Sequence, residues 1–131
     1  MSGVGRLVRY LAVGATGVGV NFAVLRGVWP LLHGLPAVAN AVATEAAIVS
    51  NYLLNSRLTF RQPPAWGAFW RYNLVSVAGG ALQVGVFTLL VHFGLYYLLA
   101  NLLAIPLNTA VGFVLSLRWV FRPRPADEAA P

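Results

Sequence analysis

The sequence predicts an all-α integral membrane protein with four transmembrane helices, built as two tandem parallel two-helix repeats with both termini in the cytoplasm. Three observations support this prediction: the composition, four long apolar stretches and a repeated sequence pattern. Of the 131 residues, 59% are hydrophobic and only 9% are charged, whereas a soluble domain carries about a quarter charged residues. The composition therefore excludes a water-soluble globule.

The four apolar stretches are each long enough to cross a membrane. They run from about Leu7 to Leu25, from Ala37 to Leu54, from Tyr72 to Val91 and from Leu95 to Leu117. At a rise of about 1.5 Å per residue, a helix of about 20 residues spans a hydrocarbon core roughly 30 Å thick. We expect a single four-helix domain over residues 1–122 and a flexible cytoplasmic tail over residues 123–131.

The arginines predict the orientation of these helices. All nine basic residues are arginines, and the net charge is +6. Eight of them lie at the start of the first stretch, between the second and third, or after the fourth, and only Arg26 lies on the other side. Because basic loops stay in the cytoplasm, the sequence predicts a multi-pass protein of the cytoplasmic (inner) membrane with both termini cytoplasmic. Arginines in this position face membrane lipid, so nucleic acid is not an expected partner.

Several classes of chemistry lack their residues in this sequence. It has no cysteine, which excludes a disulfide framework, a thiol nucleophile and a thiolate metal site. It also has no glycine-rich phosphate-binding loop of the nucleotide-hydrolysing type, and no recognisable pair of nucleophile and base. The sequence therefore predicts neither an enzyme nor a bound metal or cofactor.

Residues 6–61 and 68–122, approximately, form an internal repeat. The aligned pairs, at a shift of 62 residues in the first helix and 61 in the second, include Arg9 with Arg71, Tyr10 with Tyr72, Gly17 with Gly79, Arg57 with Arg118, and Phe60-Arg61 with Phe121-Arg122. Since each repeat holds two helices, both halves enter the membrane from the same side. An axis along the membrane normal would relate them, as in the parallel class of transporter repeats.

Polar side chains form a stripe on the second helix of each repeat. At about 100° per residue, the two stripes contain Asn40, Thr44, Ala47, Asn51 and Asn55, and Asn101, Ile105, Asn108, Gly112 and Ser116. Two interpretations stay open. In the first, these residues hold membrane helices together. In the second, they line a groove for the hydroxyl groups of a sugar, together with Asn21 of the first helix.

Glu45 is the only acid within the predicted spans. A charge near the centre of a membrane helix costs about 2.5–3.5 kcal/mol on insertion scales, so this carboxyl must be neutral, paired or facing water. We interpret it as a ligand of the sugar groove or a coupling group. The alternative is a structural ion pair with Arg26.

The repeated arginine motifs resemble a known family. The segment Arg57-Leu58-Thr59-Phe60-Arg61, after Asn51-Tyr52-Leu53-Leu54-Asn55-Ser56, resembles the FLLNR-x-WTF signature of the GtrA-like family. The segment Arg9-Tyr10-Leu11-Ala12-Val13-Gly14, with the later Asn21-Phe22, resembles the RF-x-x-VG opening of that family. The resemblance covers residues 6–122. Ser56 stands between Asn55 and Arg57 and splits the Asn-Arg pair of the signature.

The resemblance implies a translocase (flippase) that moves polyprenyl-phosphate-linked sugars across the membrane for cell-envelope polysaccharide glycosylation. The residues agree with this, because an arginine fork binds phosphate oxygens through two parallel hydrogen bonds. The candidate phosphate-binding residues are Arg9, Arg57, Arg71, Arg118, Arg61 and Arg122. Positive-inside anchoring alone is the other explanation of these arginines.

Two other functions stay open from the sequence. One is that of a non-transporting subunit that anchors or positions a polyprenyl-phosphate glycosyltransferase, and the other is that of a small multidrug exporter. The exporter family places its key acid in the first span, whereas Glu45 lies in the second. Because four helices enclose little space, we expect a homo-oligomer or a complex with a membrane glycosyltransferase.

Overall fold

The computed structural model describes residues 2–32 and 34–122. Within these ranges the chain forms four α-helices and two short π-helices, and it contains no strand. The predicted tail, residues 123–131, lies outside the described residues.

Each of the four long helices is apolar and long enough to cross a membrane. The α-helices are α1 (Gly3–Leu32), α2 (Pro36–Leu54), α3 (Trp66–His92) and α4 (Tyr97–Leu115). The predicted all-helical fold with four membrane-spanning helices is therefore confirmed. The orientation of the termini stays a prediction.

The first helix is longer than its apolar stretch. The apolar stretch from about Leu7 to Leu25 lies within α1, which continues to Leu32 and contains both Arg26 and Pro30. Arginine is a good helix former, so the charge that ends the apolar stretch does not end the helix. At about 1.5 Å per residue, α1 is about 45 Å long and exceeds a hydrocarbon core of roughly 30 Å.

Local sequence fixes the turns between paired helices. Pro36 is the first residue of α2 and follows Leu35, whose backbone is not helical; at this position proline's missing N–H costs nothing. After α3, Gly94 has a φ of 95°, and the amides of Gly94 and Leu95 donate to the carbonyls of Val91 and Leu90, each at 3.0 Å. This is the Schellman arrangement that favours glycine as the left-handed residue.

The ends of α2 and α4 pass into π-helical turns that the sequence did not predict. The first π-turn is Asn55–Thr59 and the second is Ser116–Val120. The amide of Phe60 donates to the Asn55 carbonyl at 2.9 Å, and the amide of Phe121 donates to the Ser116 carbonyl at 2.8 Å. With them, the two spans reach Thr59 and Val120. Such π-turns are rare and occur often at functional sites.

The chain divides into two compact units, Met1–Phe69 and Trp70–Pro131. In the first unit, α1 packs on α2 through Val13 and Gly17, while Ala39, Ala43, Ile48 and Tyr52 are buried on α2. In the second, the buried residues are Tyr72, Val75 and Gly79 on α3, and Ala100, Ala104 and Gly112 on α4. Small residues at these positions let membrane helices approach closely. The tandem repeat stays a prediction, which this matched order of elements supports.

One glycine on the first helix of each unit faces an asparagine on the second. A Cβ atom at Gly17 would lie 2.8 Å from the Cγ atom of Asn51 and overlap its amide group. A Cβ atom at Gly79 would overlap the side-chain oxygen of Asn108. No other side chain fits at these two positions without a shift, so the asparagines occupy the space that the glycines leave.

Candidate phosphate-binding site

Two of the predicted phosphate ligands bind the π-turns instead of pointing away from the protein. The Arg9 guanidinium donates to the Leu58 carbonyl at 2.8 Å. The Arg71 guanidinium donates to the carbonyls of Trp119 at 3.2 Å and Val120 at 3.1 Å. These carbonyls lie at the helix end, where backbone acceptors lack a partner in the helix itself. Arg9 and Arg71 therefore connect the two helices of their own units.

An aromatic pair lies beside each of these arginines. The rings of Tyr10 and Phe60 are 6.5 Å apart at an interplanar angle of 76°. The rings of Tyr72 and Phe121 are 6.1 Å apart at 61°. Edge-to-face contacts of this kind stabilise a pair by about 0.5–1.5 kcal/mol beyond the burial of area. Each unit thus has the same joint, made of an arginine, an edge-to-face pair and a π-turn.

The other four predicted arginines are exposed, as is Arg9, whereas Arg71 is half-buried. Arg57 and Arg118 occupy the third position of their π-turns, and their side chains are open to solvent or lipid, as are those of Arg61 and Arg122. Each anchored carbonyl of Leu58 and Trp119 belongs to the residue directly after an exposed arginine. The anchoring bond therefore fixes the backbone from which Arg57 or Arg118 extends.

Arg61 adopts an unusual backbone conformation at the end of the first π-turn. Its φ is 52°, in the left-handed region that costs an L-residue about 1–2 kcal/mol. The following amide, of Gln62, donates to the Ser56 carbonyl at 2.6 Å and closes the turn. Glycine is the usual residue at such a position. The sequence therefore has an arginine where the backbone conformation favours a residue without a side chain.

The interior of the first π-turn is polar. Asn55, Ser56 and Thr59 are at most 1% exposed. The Thr59 hydroxyl donates to Asn55 Oδ1 at 2.8 Å, and the Ser56 hydroxyl donates to the Leu53 carbonyl at 3.0 Å. Asn55, predicted in the sugar groove, therefore stabilises this joint in the structure. Sequence reasoning did not single out Thr59, although its spacing of four residues from Asn55 is a signal for such a bond.

The remaining predicted groove residues separate into two groups. Asn21, Asn51 and Asn108 are half-buried, whereas the others are exposed, namely Asn40, Thr44, Glu45 and Asn101. Asn108 Nδ2 donates to Gln83 Oε1 at 2.8 Å. Among the described residues, Asn51 Oδ1 is buried without a hydrogen-bond partner. Arg26, the suggested ion-pair partner of Glu45, is also exposed.

An apolar groove of about 350 Å³ lies in the first unit, between the last turns of α2 and the segment that leads from the π-turn into α3. Its lining consists of Val49, Tyr52, Leu53, Pro64, Ala65, Trp66 and Phe69. The buried Tyr52 hydroxyl fixes the returning chain, because it donates to the Ala65 carbonyl at 3.0 Å and accepts from the Ala65 amide at 2.9 Å. No charged side chain lines this groove, so its chemistry suits a hydrocarbon chain.

The candidate site contains no obvious metal centre. Across residues 2–32 and 34–122, no group of three or more His, Cys, Asp or Glu side chains lies together. The chemistry available at the π-turns is that of guanidinium groups and backbone amides, which bind anions.

The fold and these joints define a class of protein. The chain is a multi-pass membrane protein of four helices in which arginines gather at π-turns that end the second and fourth helices. Residues 9–121 match the family model described as GtrA/DPMS, transmembrane domain. The chain belongs to this family, which confirms the resemblance seen in the sequence.

A curated relative places this domain within a longer protein. The chain is 28% identical over 116 residues to a protein of Pyrococcus furiosus named dolichol-phosphate mannosyltransferase. The match covers 85% of this chain and 32% of the relative. The chain therefore spans about a third of the length of that relative.

Proposed function

We propose that this protein is a translocase for polyprenyl-phosphate-linked sugars in the cytoplasmic membrane, supporting cell-envelope polysaccharide glycosylation. The observation that carries the proposal is the pair of exposed arginines, Arg57 and Arg118, each on a π-turn whose backbone is anchored at the next residue. A guanidinium extended from a fixed backbone is preorganised for a phosphate, which it binds through a bidentate fork. Family membership links the chain to polyprenyl-phosphate sugar metabolism.

In this proposal the arginines have two different roles. Arg57 and Arg118 bind the phosphate, with Arg61 and Arg122 as further cations at the same helix ends. Arg9 and Arg71 act as positioning residues, because their bonds to backbone carbonyls determine where the π-turns lie. Each guanidinium carries five N–H donors, so Arg9 retains donors for an anion beyond the bond to Leu58.

The remaining parts of the proposal concern topology, energy and partners. Both termini lie in the cytoplasm, so that the π-turns reach the cytoplasmic headgroups. The protein itself catalyses no covalent step, and transport runs downhill as the sugar is consumed on the far side. A homo-oligomer or a complex with a membrane glycosyltransferase would supply the enclosed path that four helices alone do not.

A second function is favoured by one observation. The matched region is about a third of a relative that is named as a transferase. A domain that anchors or positions a polyprenyl-phosphate glycosyltransferase would match such a protein over only part of its length. In that case the polar stripes would form an interface and no lipid-linked sugar would cross the membrane.

A reconstitution experiment separates these two functions. Purified protein in liposomes is given a polyprenyl-phosphate hexose with a fluorescent lipid chain, and its movement between leaflets is followed with a reagent that reaches only the outer leaflet. A translocase moves the probe faster than protein-free liposomes do. Movement at the protein-free rate would contradict the translocase and favour the anchoring subunit.

A further inference from the structure

The second unit contains an open cavity of about 330 Å³ that the arginine sites do not use, and several of its lining residues, among them Val84, Tyr97 and Asn101, are exposed at the protein surface. It is lined by Gln83, Val84, Phe87, Tyr97, Leu98 and Asn101. Its volume lies within the range of about 300–1,000 Å³ found for small-molecule sites. Two amide side chains and two aromatic rings share this lining, and it includes no charged residue.

A hydrogen bond orients one of the two amides. Asn108 Nδ2 donates to Gln83 Oε1 at 2.8 Å, and Asn108 is itself held in place against Gly79. The oxygen of Gln83 accepts this bond, and its Nε2 atom carries two N–H donors that the bond does not use. Asn101 lies seven residues before Asn108, hence on the same face of α4, and supplies both a donor and an acceptor.

These groups fit a sugar better than a phosphate. Sugar hydroxyls both donate and accept hydrogen bonds, as amides do, and the C–H face of a sugar ring packs against aromatic rings such as those of Phe87 and Tyr97. A phosphate would need a cation to offset its charge in a membrane, and no lining residue is cationic. Polar groups at membrane depth are costly unless they bind a partner, which a hydroxylated ligand would provide.

The cavity is far from the arginine end of the same helix. Gln83 lies twelve residues after Arg71 on α3, which corresponds to about 18 Å along the helix axis. This is more than half the thickness of a hydrocarbon core of roughly 30 Å, and more than the span of one sugar ring and its phosphate. One sugar phosphate therefore cannot occupy this cavity and the arginine end at the same time.

The aligned positions of the first unit differ in a way that concerns sugar binding. In the predicted repeat, Asn21 and Asn40 stand where the second unit has Gln83 and Asn101, so both units carry amides. Leu25 and Pro36, however, stand where the second unit has its two aromatic side chains. The aromatic walls are thus specific to the second unit at these aligned positions.

We propose that this cavity binds the sugar of the lipid-linked substrate at a second station, reached after the phosphate leaves the arginine end. This inference rests on the proposed translocase function. Gln83 and Asn101 bind the hydroxyl groups, Phe87 and Tyr97 pack against the sugar ring, and the polyprenyl chain stays in lipid.

The test uses the liposome assay with two probes, a fluorescent polyprenyl-phosphate hexose and the same lipid without the sugar. Gln83→Leu and Asn101→Leu are each expected to slow movement of the hexose probe about tenfold, the effect of losing one or two hydrogen bonds. Equilibrium binding of the sugar-free probe is expected to stay unchanged, because the phosphate binds elsewhere. Thr88→Val serves as the matched control, since Thr88 is exposed on the same helix and bonds only to the Val84 carbonyl of its own helix.

The two variants keep the test decisive. Gln83→Leu also removes the partner of Asn108, whereas Asn101 is exposed and its replacement leaves that pair intact. If Asn101→Leu moves the hexose probe at the wild-type rate, or changes the oligomeric state without slowing the probe, the sugar station is refuted. If the wild-type protein moves no probe at all, it is the proposed translocase function that fails.

Discussion

The bonds from Arg71 to the second π-turn provide a direct test of the positioning role. Arg71→Met keeps most of the length and the apolar stem of the side chain but removes both donors to the carbonyls of Trp119 and Val120. We expect the second unit to lose stability while the exposed Arg118 stays present. A residue that served only as a headgroup ligand would show no such loss.

The magnitude follows from the geometry of the two bonds. Their lengths, 3.2 Å and 3.1 Å, exceed the 2.7–2.9 Å range that is usual for strong charge-assisted hydrogen bonds. Arg71 is half-buried, so water competes for its donors and each bond falls at the weak end, about 0.5–1 kcal/mol. The two bonds together predict a loss of about 1–2 kcal/mol in the free energy of unfolding.

The free energy of unfolding is measured in mixed micelles by titration with a denaturing detergent, with helicity as the signal. Arg118→Met is the matched control, because it removes an exposed arginine of the same π-turn and should change the free energy of unfolding by less than about 0.5 kcal/mol. Equal losses in the two variants, or no loss in Arg71→Met, would refute the distinction between positioning and binding arginines.

Three further predictions concern single positions. Gly17→Ala should lower the free energy of unfolding by about 1–3 kcal/mol, because the added methyl group overlaps the facing asparagine. The control Gly14→Ala places its methyl group in open space and should be neutral or stabilising. Equal effects of the two substitutions would contradict the packing described. Arg61→Gly should raise the free energy of unfolding by about 1 kcal/mol, since glycine adopts the left-handed conformation freely. Arg61→Ala should not raise it. A loss of stability in the glycine variant would show that the turn is not strained. For topology, a cysteine placed at Gln62 should react with a membrane-impermeant thiol reagent only from the cytoplasmic side and one at Gly34 only from the outside, and labelling of both from one side would contradict the orientation.

The helices could be predicted from the sequence because their signal is spread over many residues. About twenty apolar residues in a row specify a membrane helix by length and composition alone. The end of α1 at Leu32 does not follow from the apolar stretch, because a single charge ends such a stretch near Leu25 without ending the helix. Helix ends depend on caps and turns, which involve few residues.

The candidate site could be predicted only in part. The repeated arginines drew attention to the correct helix ends, but nothing in the residues themselves indicated a π-turn, which differs from an α-helix by one residue in its hydrogen-bond register. For the same reason the sequence could not separate Arg9 and Arg71, which bind the carbonyls of the π-turns, from Arg57 and Arg118, which belong to those turns. That separation depends on which backbone carbonyls the π-turn leaves without an intrahelical partner.

The polar stripe is a second case in which periodicity was informative but incomplete. Helical phase placed the asparagines on one face, and the structure buries Asn55 while it leaves Asn40 exposed. Near the start of α2 the buried residue is Ala39, which lies about 100° around the helix from Asn40, so the buried face at that depth is not the face of the asparagines. Gln83, which bonds to Asn108, belongs to the first helix of its pair and lay outside the stripe.

The central claim is that the guanidinium forks of Arg57 and Arg118 bind the phosphate of a lipid-linked sugar. Its most direct test is the rate at which liposomes containing the Arg57→Lys and Arg118→Lys double variant move a fluorescent polyprenyl-phosphate hexose, with Arg26→Lys as the control. Lysine keeps the charge but lacks the planar fork, so insertion should be normal and movement should fall at least tenfold, while the control moves the probe at the wild-type rate. Wild-type movement in the double variant would contradict the claim and leave these arginines as topology signals.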